Sequence, residues 1–452
     1  MYNINDMPRT IKLLLFVSAI VALLLNPIWI QKMDRGTHRV GAESLKELFP
    51  SAISFSSKTG DPLHYKAYKD GPRSQGYCFL TTDIVPHERG YAGPIAALAC
   101  MDATGRLSGV KILHHRETPA YAHKIEEPQF LNQFKGKSVK DQFIIGKDLD
   151  GIARASVSSE VVARSVKKSA RAVARAYMGI DIKEEKAFSG WSLLEPGFIL
   201  LVFSLAIVGM YVRSNGLRWA VLVLSLIGLG FVFHSYLSIN TIINALLLRL
   251  PPLRVISWYL LLGGVIITTL LYGKLYCGWI CPFGAGLEIV EKARKTIWPF
   301  SASTSSPQGE RRARLMKYLV LWLGVTAFAL SDNVNILGFE PFAPLFTLSS
   351  VNTLALGLLL LALGSSLFIP RFWCRYLCPA GACLSLLSQW SPWRLRSSTL
   401  CDACGECIPV CPTRSNSLKS AKKVVEFNPQ ECLLCSACAR ACPPQAITPG
   451  PQ

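Results

Sequence analysis

Two cysteine runs near the C-terminal end constrain this chain more than any other feature. Each run contains four cysteines with the spacing C-x2-C-x2-C-x3-C, followed by proline. Runs with this spacing bind [4Fe-4S] clusters through their thiolates. The eight cysteines are Cys401, Cys404, Cys407, Cys411, Cys432, Cys435, Cys438 and Cys442. The spacing therefore predicts two [4Fe-4S] clusters and a role in electron transfer.

The ligands of each cluster follow from how paired runs of this kind fold. In two-cluster ferredoxins the first three cysteines of a run hold one cluster, and the fourth binds the other cluster. The predicted sets are Cys401, Cys404, Cys407 and Cys442, and Cys432, Cys435, Cys438 and Cys411. A structural zinc site is the alternative, because paired C-x2-C knuckles also bind zinc. The extra cysteines, the prolines and the lack of a nearby histidine favour clusters.

Six apolar segments indicate a membrane protein. Half of the 452 residues are hydrophobic and the mean hydropathy is +0.32, which points to membrane spans. Residues 11–30 are interpreted as a retained N-terminal anchor, with a cleaved signal peptide as the alternative. The other segments are 196–212, 219–237, 255–272, 316–330 and 351–369. All but the fourth are near full span length, and the fourth is expected to include flanking residues.

The placement of charge predicts the orientation of these spans. The formal net charge is +19, and residues 274–317 are rich in Lys and Arg. Residues 331–350 contain Asp332 and Glu340 but no Lys or Arg. The positive-inside rule places the basic stretch in the cytoplasm and the acidic stretch outside. Both termini and the cysteine runs are then cytoplasmic, and a nucleic-acid role is not needed to explain the charge.

Two shorter cysteine motifs lie where spans meet the predicted cytoplasmic face. They read Cys277-Gly-Trp-Ile-Cys281-Pro and Cys374-Arg-Tyr-Leu-Cys378-Pro. Cysteines at i and i+4 face the same way on a helix, and the following proline discourages further helix on that side. Four converging thiolates would suit a further iron-sulfur cluster or a dithiol couple. Cysteines that only pack at helix ends are the alternative.

The other cysteines and the one histidine of the span regions carry weaker signals. Cys78, Cys100 and Cys383 are interpreted as core thiols. A haem held by two histidines in the membrane is not expected, since the span regions contain only His234. This histidine could contact a quinol near the outer interface, although packed or solvated histidines are commoner.

Residues 33–189 have the composition of a soluble α+β domain. Residues 94–113 predict a β-hairpin with a turn at 102–105, and residues 158–178 predict a helix with Lys and Arg on its outer face. Its apolar face comprises Val162, Val166, Val173 and Tyr177. The helix begins in a serine-rich sequence, where backbone N–H groups and the helix dipole favour a phosphate group. Helix capping by Ser158 or Ser159 is the alternative.

Four patterns in this domain, taken together, resemble a known family. They are G-Y-x-G-P-I from Gly90, D-x-x-G-x-[IL]-x-G-V from Asp102, H-R-E-T-P from His115, and D-x-I-x-x-A-[ST]-x-[ST]-S from Asp150. They resemble the FMN-binding domain shared by the NosR/NirI family and the small flavin subunits of Rnf and Na+-translocating NADH:quinone reductase complexes. Spans with two C-x3-C-P motifs before a two-cluster ferredoxin resemble the NapH-type quinol dehydrogenase module. In this order, the two parts resemble the NosR/NirI family over nearly the whole chain.

The resemblance implies an FMN joined through its phosphate to a Ser or Thr hydroxyl by a separate flavin transferase. Ser156 is the matching position in this chain. The other FMN-binding candidates are Glu117, Thr118, Ser158 and Ser159. The chain departs from the usual pattern at Ala120, Ala122, Ala153 and Arg154. The outer domain is also shorter than that of a full NosR, so a role in N2O reduction is not carried over.

The resulting prediction is a multi-domain protein of the bacterial inner membrane. An α-helical membrane bundle of about six spans would carry an extracytoplasmic α+β FMN-binding domain and a C-terminal two-[4Fe-4S] ferredoxin domain. The expected boundaries are 1–32 for the N-terminal anchor, 33–189 for the FMN-binding domain, 190–395 for the membrane domain and 396–452 for the ferredoxin domain.

The predicted function is that of an electron-transfer component of an oxidoreductase system. Electrons would move between quinol or a cytoplasmic donor and the extracytoplasmic FMN, serving a periplasmic reductase, an electron carrier or reductase maturation. Clusters carry single electrons and flavin carries one or two, so such a chain joins different donors and acceptors. A transmembrane redox sensor or regulator and a cofactor-assembly factor are the alternatives.

Overall fold

The computed structural model describes most of the chain after the predicted N-terminal anchor. The described residues are 18, 21, 40–69, 73–90, 93–115, 117, 124–152, 156–180, 193–248, 250–253, 255–298, 307–331, 334–347, 353–419 and 424–451. Apart from Ser18 and Val21, the predicted anchor lies outside these residues. The Nε1 of Trp322 donates to Ser18 Oγ at 3.1 Å.

A five-stranded antiparallel sheet forms the centre of the first domain. Its strands pair in sequence order. They are β1 (Ser54–Phe55), β2 (Tyr65–Tyr68), β3 (Ser74–Leu80), β4 (Ala96–Asp102) and β5 (Leu107–His114). The helices of this domain are α1 (Ala42–Leu48), α2 (Thr81–Ile84), α3 (Pro128–Leu131) with the 3-10 turn Asn132–Phe134, and α4 (Ser156–Met178).

Strand β4 lies at the centre of two cores, because successive side chains of a strand point to opposite faces. Ala97, Ala99 and Met101 pack in one core with the valines of α4. Leu98 and Cys100 pack in the other with α1. The predicted hairpin and long helix are both present. The expectation that all basic side chains of the helix are outward is wrong, as the following contacts show.

Arg171 of α4 is 8% exposed and binds the loop before α4. Its Nε donates to Val139 O and its Nη2 to Asp141 O, each at 3.0 Å. These two donors therefore replace water with backbone carbonyls, which allows a charged side chain to be buried.

Cys78 and Cys100 are joined by a disulfide, so the prediction of two core thiols is wrong. The two residues lie directly opposite each other in the β3–β4 register. Directly opposite side chains of an antiparallel pair are close enough to be bridged, and only the register reveals that they face each other. Cys383 is a free thiol that packs against an apolar cluster, as expected.

The middle of the chain is helical. Its elements are α5 (Leu194–Val212), α6 (Asn215–Leu224) with the π-helical turns Ser225–Val232, α7 (Ile239–Leu246), α8 (Ile256–Tyr272), the π-helical turn Tyr276–Ile280, α9 (Pro282–Ile297), α10 (Pro307–Ser331), the 3-10 turn Val334–Phe339, α11 (Phe342–Thr347), α12 (Thr353–Ser366), α13 (Phe372–Tyr376), α14 (Pro379–Leu387) and the 3-10 turn Ser388–Trp390.

Three helices in the described part of the chain are long and apolar enough to cross a membrane. They are Leu194–Val212, Asn215–Val232 and Arg312–Ser331, whereas the apolar helices Ile256–Tyr272 and Thr353–Ser366 are shorter. The fourth predicted segment is one of the long helices because α10 begins well before the apolar run and includes flanking residues, as expected. The expected total of about six spans remains a prediction.

The segment between α10 and α12, which the charge pattern predicts to lie outside the cytoplasm, packs against the other helices. Glu340 is 6% exposed, and its Oε2 accepts a hydrogen bond from Ile239 N at 3.0 Å. The ring of Phe342 packs on Phe283 with centroids 4.9 Å apart, and Phe346 is fully buried. This segment is therefore part of the helical core.

The C-terminal domain contains two small antiparallel sheets. Strand β6 (Trp393–Ser397) pairs with β9 (Ile447–Pro451), and β7 (Asn416–Lys419) pairs with β8 (Val424–Phe427). One short helix, α15 (Ala437–Arg440), carries Cys438. The buried side chains of this domain belong to the same apolar core as those of the membrane helices.

Candidate electron-transfer site

Three of the FMN-related sequence patterns meet at the buried carboxylate of Glu117. Ser158 Oγ donates to Glu117 Oε2 at 2.6 Å, and both residues are at most 3% exposed. A Cβ atom at Gly90 would lie 2.4 Å from Glu117 Oε1, so only glycine fits at that position. His115 supports the loop, because its Nδ1 accepts from Glu117 N at 3.2 Å. Residues far apart in sequence thus converge at the start of α4.

The start of α4 suits a phosphate group. Ser156 is the first residue of this helix, and Ser158 and Ser159 lie in its buried first turn. The first N–H groups of a helix lack partners within the helix and attract anions. The hydroxyl of Ser158 is hydrogen-bonded to Glu117. The resemblance to the FMN-binding family implies covalent attachment at Ser156, and this assignment stays a prediction. Thr118, Ala120, Ala122, Ala153 and Arg154 lie outside the described residues.

The cysteines of the two C-terminal runs are neighbours in the predicted combinations. Cys407 interacts electrostatically with Cys442, Cys404 and Cys401. Cys432 and Cys438 both interact with Cys411 and Cys435. The fourth cysteine of each run therefore lies beside the other run.

Within the described ranges, no three His, Cys, Asp or Glu side chains are close enough together to hold one metal ion. Burial raises the pKa of Cys432 to about 12 and also raises that of Cys435, so these thiols need a bound cation to ionise.

The two cysteine groups differ in exposure. Cys404 of the first group is exposed and Cys401 is half-buried, whereas Cys435 and Cys438 of the second group are buried. The first group lies near the surface of the C-terminal domain, and the second lies inside the protein.

Each C-x3-C-P motif straddles a break between two helices. Pro282 and Pro379 are the first residues of α9 and α14, so a new helix begins at each proline, contrary to the expectation that proline would discourage further helix on that side. Proline is favoured at the first helical position because its missing N–H has no helical partner there. The preceding cysteine caps the new helix: Cys378 Sγ accepts from Gly381 N at 3.2 Å, and Cys281 Sγ accepts from Gly284 N at 3.5 Å.

The two motifs converge, as the spacing predicted. Cys281 and Cys378 each interact electrostatically with both Cys374 and Cys277. Four thiols from two separate parts of the chain are thus gathered at one place. The arrangement is suited to a further cluster or to dithiol chemistry, and its occupant remains a prediction.

The first C-x3-C-P motif lies directly against the second cysteine run. Trp279 Nε1 donates to Leu434 O at 3.0 Å, and a Cβ atom at Gly278 would lie 1.9 Å from Leu433 O. The backbone between Cys432 and Cys435 therefore touches the backbone between Cys277 and Cys281. Sequence reasoning missed this contact, although the glycine and tryptophan inside the motif are its signal.

A buried ion pair and a hydrogen bond to a carbonyl connect the same two domains. Lys317 Nζ lies 2.6 and 2.8 Å from the carboxylate oxygens of Glu431. Lys274 Nζ donates to Ser385 Oγ at 3.1 Å, and Arg314 Nη2 donates to Thr413 O at 2.7 Å. Burial raises the pKa of Glu431, but the charges of Lys317 and Lys274 lower it below its ordinary value. Part of the basic stretch 274–317 thus binds the C-terminal domain.

His234 contacts the backbone of the segment that folds into the core. Its Nε2 lies 3.2 Å from Phe346 O, and the side chain is half-buried. This contact matches the packed histidine weighed as the commoner case.

Comparison with known proteins agrees with this division of the chain. Residues 90–171 match an FMN-binding domain, which includes Gly90, Glu117 and Ser156. Residues 255–301 and 351–398 match a 4Fe-4S binding domain and include one C-x3-C-P motif each. Residues 400–446 match a 4Fe-4S dicluster domain, which contains all eight cysteines of the paired runs.

Named relatives of this chain include the following three proteins. The putative electron transport protein YccM of Escherichia coli is 28% identical over 43% of this chain and 56% of its own length. NirI of Paracoccus denitrificans is 27% identical over 49% of this chain and 33% of NirI. The regulatory protein NosR of Stutzerimonas stutzeri is 24% identical over 59% of this chain and 39% of NosR. The chain thus spans between a third and little more than half of these relatives. The chain is a membrane-associated flavo-iron-sulfur protein of electron transport, with FMN-binding and 4Fe-4S binding domains, and is a distant homologue of NosR, NirI and YccM.

Proposed function

We propose that this protein carries electrons across the cytoplasmic membrane between quinol or a cytoplasmic donor and an extracytoplasmic FMN. It would serve a periplasmic reductase, a periplasmic electron carrier or reductase maturation. The observation that carries this proposal is the contact of Trp279 and Gly278 with Leu434 and Leu433. This contact joins the ferredoxin domain to the membrane domain at the cysteines of both.

The exposure of the cysteine groups supports an order of transfer. The group of Cys401 lies nearest the surface and would exchange electrons with a cytoplasmic donor. The buried group of Cys435 would pass them to the C-x3-C-P cysteines. The clusters supply one-electron chemistry and FMN supplies one- or two-electron chemistry. The residues of the chain hold these groups in fixed positions and keep the inner ones away from water.

Two observations support the proposed orientation. The FMN-binding domain contains the disulfide Cys78–Cys100, and disulfides persist in oxidising compartments but are rare in the cytoplasm. The ferredoxin domain binds Lys317 and Arg314 of the basic stretch, which the positive-inside rule places in the cytoplasm. FMN at Ser156, attached by a flavin transferase, would then lie on the opposite side of the membrane from the clusters.

The names of the relatives describe two kinds of protein, since YccM is a putative electron transport protein and NosR a regulatory protein. Reduction of FMN by a quinol analogue in detergent-purified full-length protein distinguishes a carrier from a sensor or an assembly factor. We expect sustained FMN reduction when an external acceptor is present. Cys432→Ser should abolish it, and Cys383→Ser, outside both groups, should not. Absence of FMN reduction with any donor would refute the carrier function.

A further inference from the structure

A buried triad of charged residues lies beside the C-x3-C-P motifs. Arg218 belongs to α6, Glu288 to α9, and Arg371 immediately precedes α13. Their exposed fractions are 5%, 7% and 0%. Three separate elements of the membrane domain therefore place ionic groups in one water-excluded position.

The triad has two arginines for one carboxylate. Arg218 Nη2 lies 2.7 and 2.8 Å from the two carboxylate oxygens of Glu288. Arg371 Nε donates to Glu288 Oε1 at 2.8 Å. Because both guanidinium groups remain protonated and the carboxylate is paired with both, the triad carries one surplus positive charge.

This surplus charge lies between two cysteine groups. Arg371 Nη1 donates to Cys277 O, and Arg218 Nη2 donates to Gly278 O at 3.1 Å. Arg371 also interacts electrostatically with Cys374 and Cys281, and with Cys435 of the ferredoxin domain. Arg218 and Glu288 interact with Cys435 as well. The triad thus faces the C-x3-C-P thiols on one side and the second ferredoxin group on the other.

Stability alone does not account for such a triad. Replacing a buried Arg–Glu–Arg triad with apolar residues is often neutral or stabilising, because the desolvation of the charges is costly. An uncompensated buried charge is costlier still unless an anion lies nearby. Iron-sulfur clusters held by four thiolates are anionic, and nearby charges and hydrogen bonds set their reduction potentials. The surplus positive charge therefore matches anionic groups at the cysteines on both sides.

We propose that the Arg218–Glu288–Arg371 triad is a positioning element that raises the reduction potentials of the redox groups on both sides of the domain junction. The proposal rests on the proposed function, because it requires clusters at the flanking cysteines. In each transfer one group loses one electron and is oxidised, and the other gains that electron and is reduced. No bond or proton moves. The triad stabilises the reduced form of each group and so favours entry of the electron into the junction.

The test is a redox titration of the purified full-length protein, followed by electron paramagnetic resonance of each cluster. Arg371→Gln removes the surplus charge and should lower the potentials, shifting the equilibrium constant for reduction on the order of tenfold. Glu288→Gln adds to the surplus and should shift it in the opposite direction by a similar factor. The double variant keeps one surplus charge and should titrate like the unaltered protein. Lys295→Gln is the control, because Lys295 is exposed on the same helix α9.

The signs of the two shifts decide the matter. Unchanged potentials in both single variants, with full iron content, would refute the proposal. A double variant that shifts as far as either single variant, or that no longer retains iron, would make the triad a structural element and would also refute it. The proposed function fails separately, when no donor reduces FMN in the unaltered protein. The cluster beside Cys435 would still report the effect of the triad.

Discussion

Replacement of Lys317 by methionine should loosen the ferredoxin domain from the membrane domain. Lys317 is fully buried, and its Nζ lies 2.6 and 2.8 Å from the carboxylate of Glu431, which is 4% exposed. Methionine keeps the apolar stem of the side chain and removes the ammonium group. Glu431 would then remain buried without its principal partner.

The size of the effect follows from the burial of this pair. Removal of one partner of a buried ion pair costs about 3–5 kcal/mol, because the other charge is left uncompensated. Lys274 still interacts with Glu431 and offsets part of this cost. We therefore expect a loss near the lower limit, about 3 kcal/mol, which corresponds to roughly a hundredfold change in the equilibrium for domain opening.

Hydrogen–deuterium exchange of the purified protein measures this opening. Amides of residues 424–451 should exchange roughly a hundredfold faster in Lys317→Met. Lys295→Met is the matched control, because the side chain of Lys295, which pairs with Glu291 on α9, is exposed to solvent. Loss of a solvent-exposed ammonium group costs less than about 1 kcal/mol, so this variant should exchange like the unaltered protein.

A double variant separates the loss of the whole ion pair from the loss of one charge. Lys317→Met combined with Glu431→Leu removes both charges, and apolar replacement of a whole buried pair is close to neutral. Exchange should therefore return toward the original rate. An unchanged rate in Lys317→Met, or a double variant that opens more readily than the single one, would show that the ion pair does not hold the domains together.

Three further predictions concern other parts of the chain. Gly278→Ala should slow FMN reduction while iron is retained, because the added Cβ would lie 1.9 Å from a facing carbonyl oxygen and real Cβ contacts do not fall below 3.0 Å. Gly263→Ala, with open space around it, should have no effect. Equal rates of FMN reduction in the two variants would contradict the domain contact. Ser156→Ala should abolish flavin fluorescence of the denatured protein on a gel, and persistent fluorescence would place the attachment elsewhere. Cys78 and Cys100 should resist alkylation in intact cells until a reductant is added, since disulfides persist outside the cytoplasm; labelling without reductant would argue against this orientation.

Features with a local cause could be predicted from the sequence. The neighbouring cysteines of each set could be predicted, because three of its four members lie within one short loop. The fourth member is the last cysteine of the other run, and its position follows from the same repeated spacing. The hairpin formed by β4 and β5 follows from a hydrophobic period of two residues, and the helix Ser156–Met178 from a period of 3.6 residues. These periods depend on neighbouring residues alone.

Features set by tertiary contacts could not be predicted. The Cys78–Cys100 bridge depends on the register of two strands, which composition does not reveal. Lys317 belongs to the basic stretch that predicts the cytoplasmic side, but its burial could not be predicted because its partner Glu431 belongs to another domain. Likewise, the burial of Glu340 could not be read from its charge, because it depends on the packing of Phe342 and Phe346 in the helical core.

The central claim is that electrons pass between the ferredoxin clusters and FMN through the C-x3-C-P cysteines. It is tested most directly in proteoliposomes with the ferredoxin domain outward, to which dithionite, a membrane-impermeant reductant, is added while FMN absorbance is followed. We predict that FMN inside the vesicles becomes reduced, and that Cys374→Ser with intact ferredoxin clusters prevents this. FMN that stays oxidised in the unaltered protein, or that is reduced equally fast in Cys374→Ser, would contradict the account.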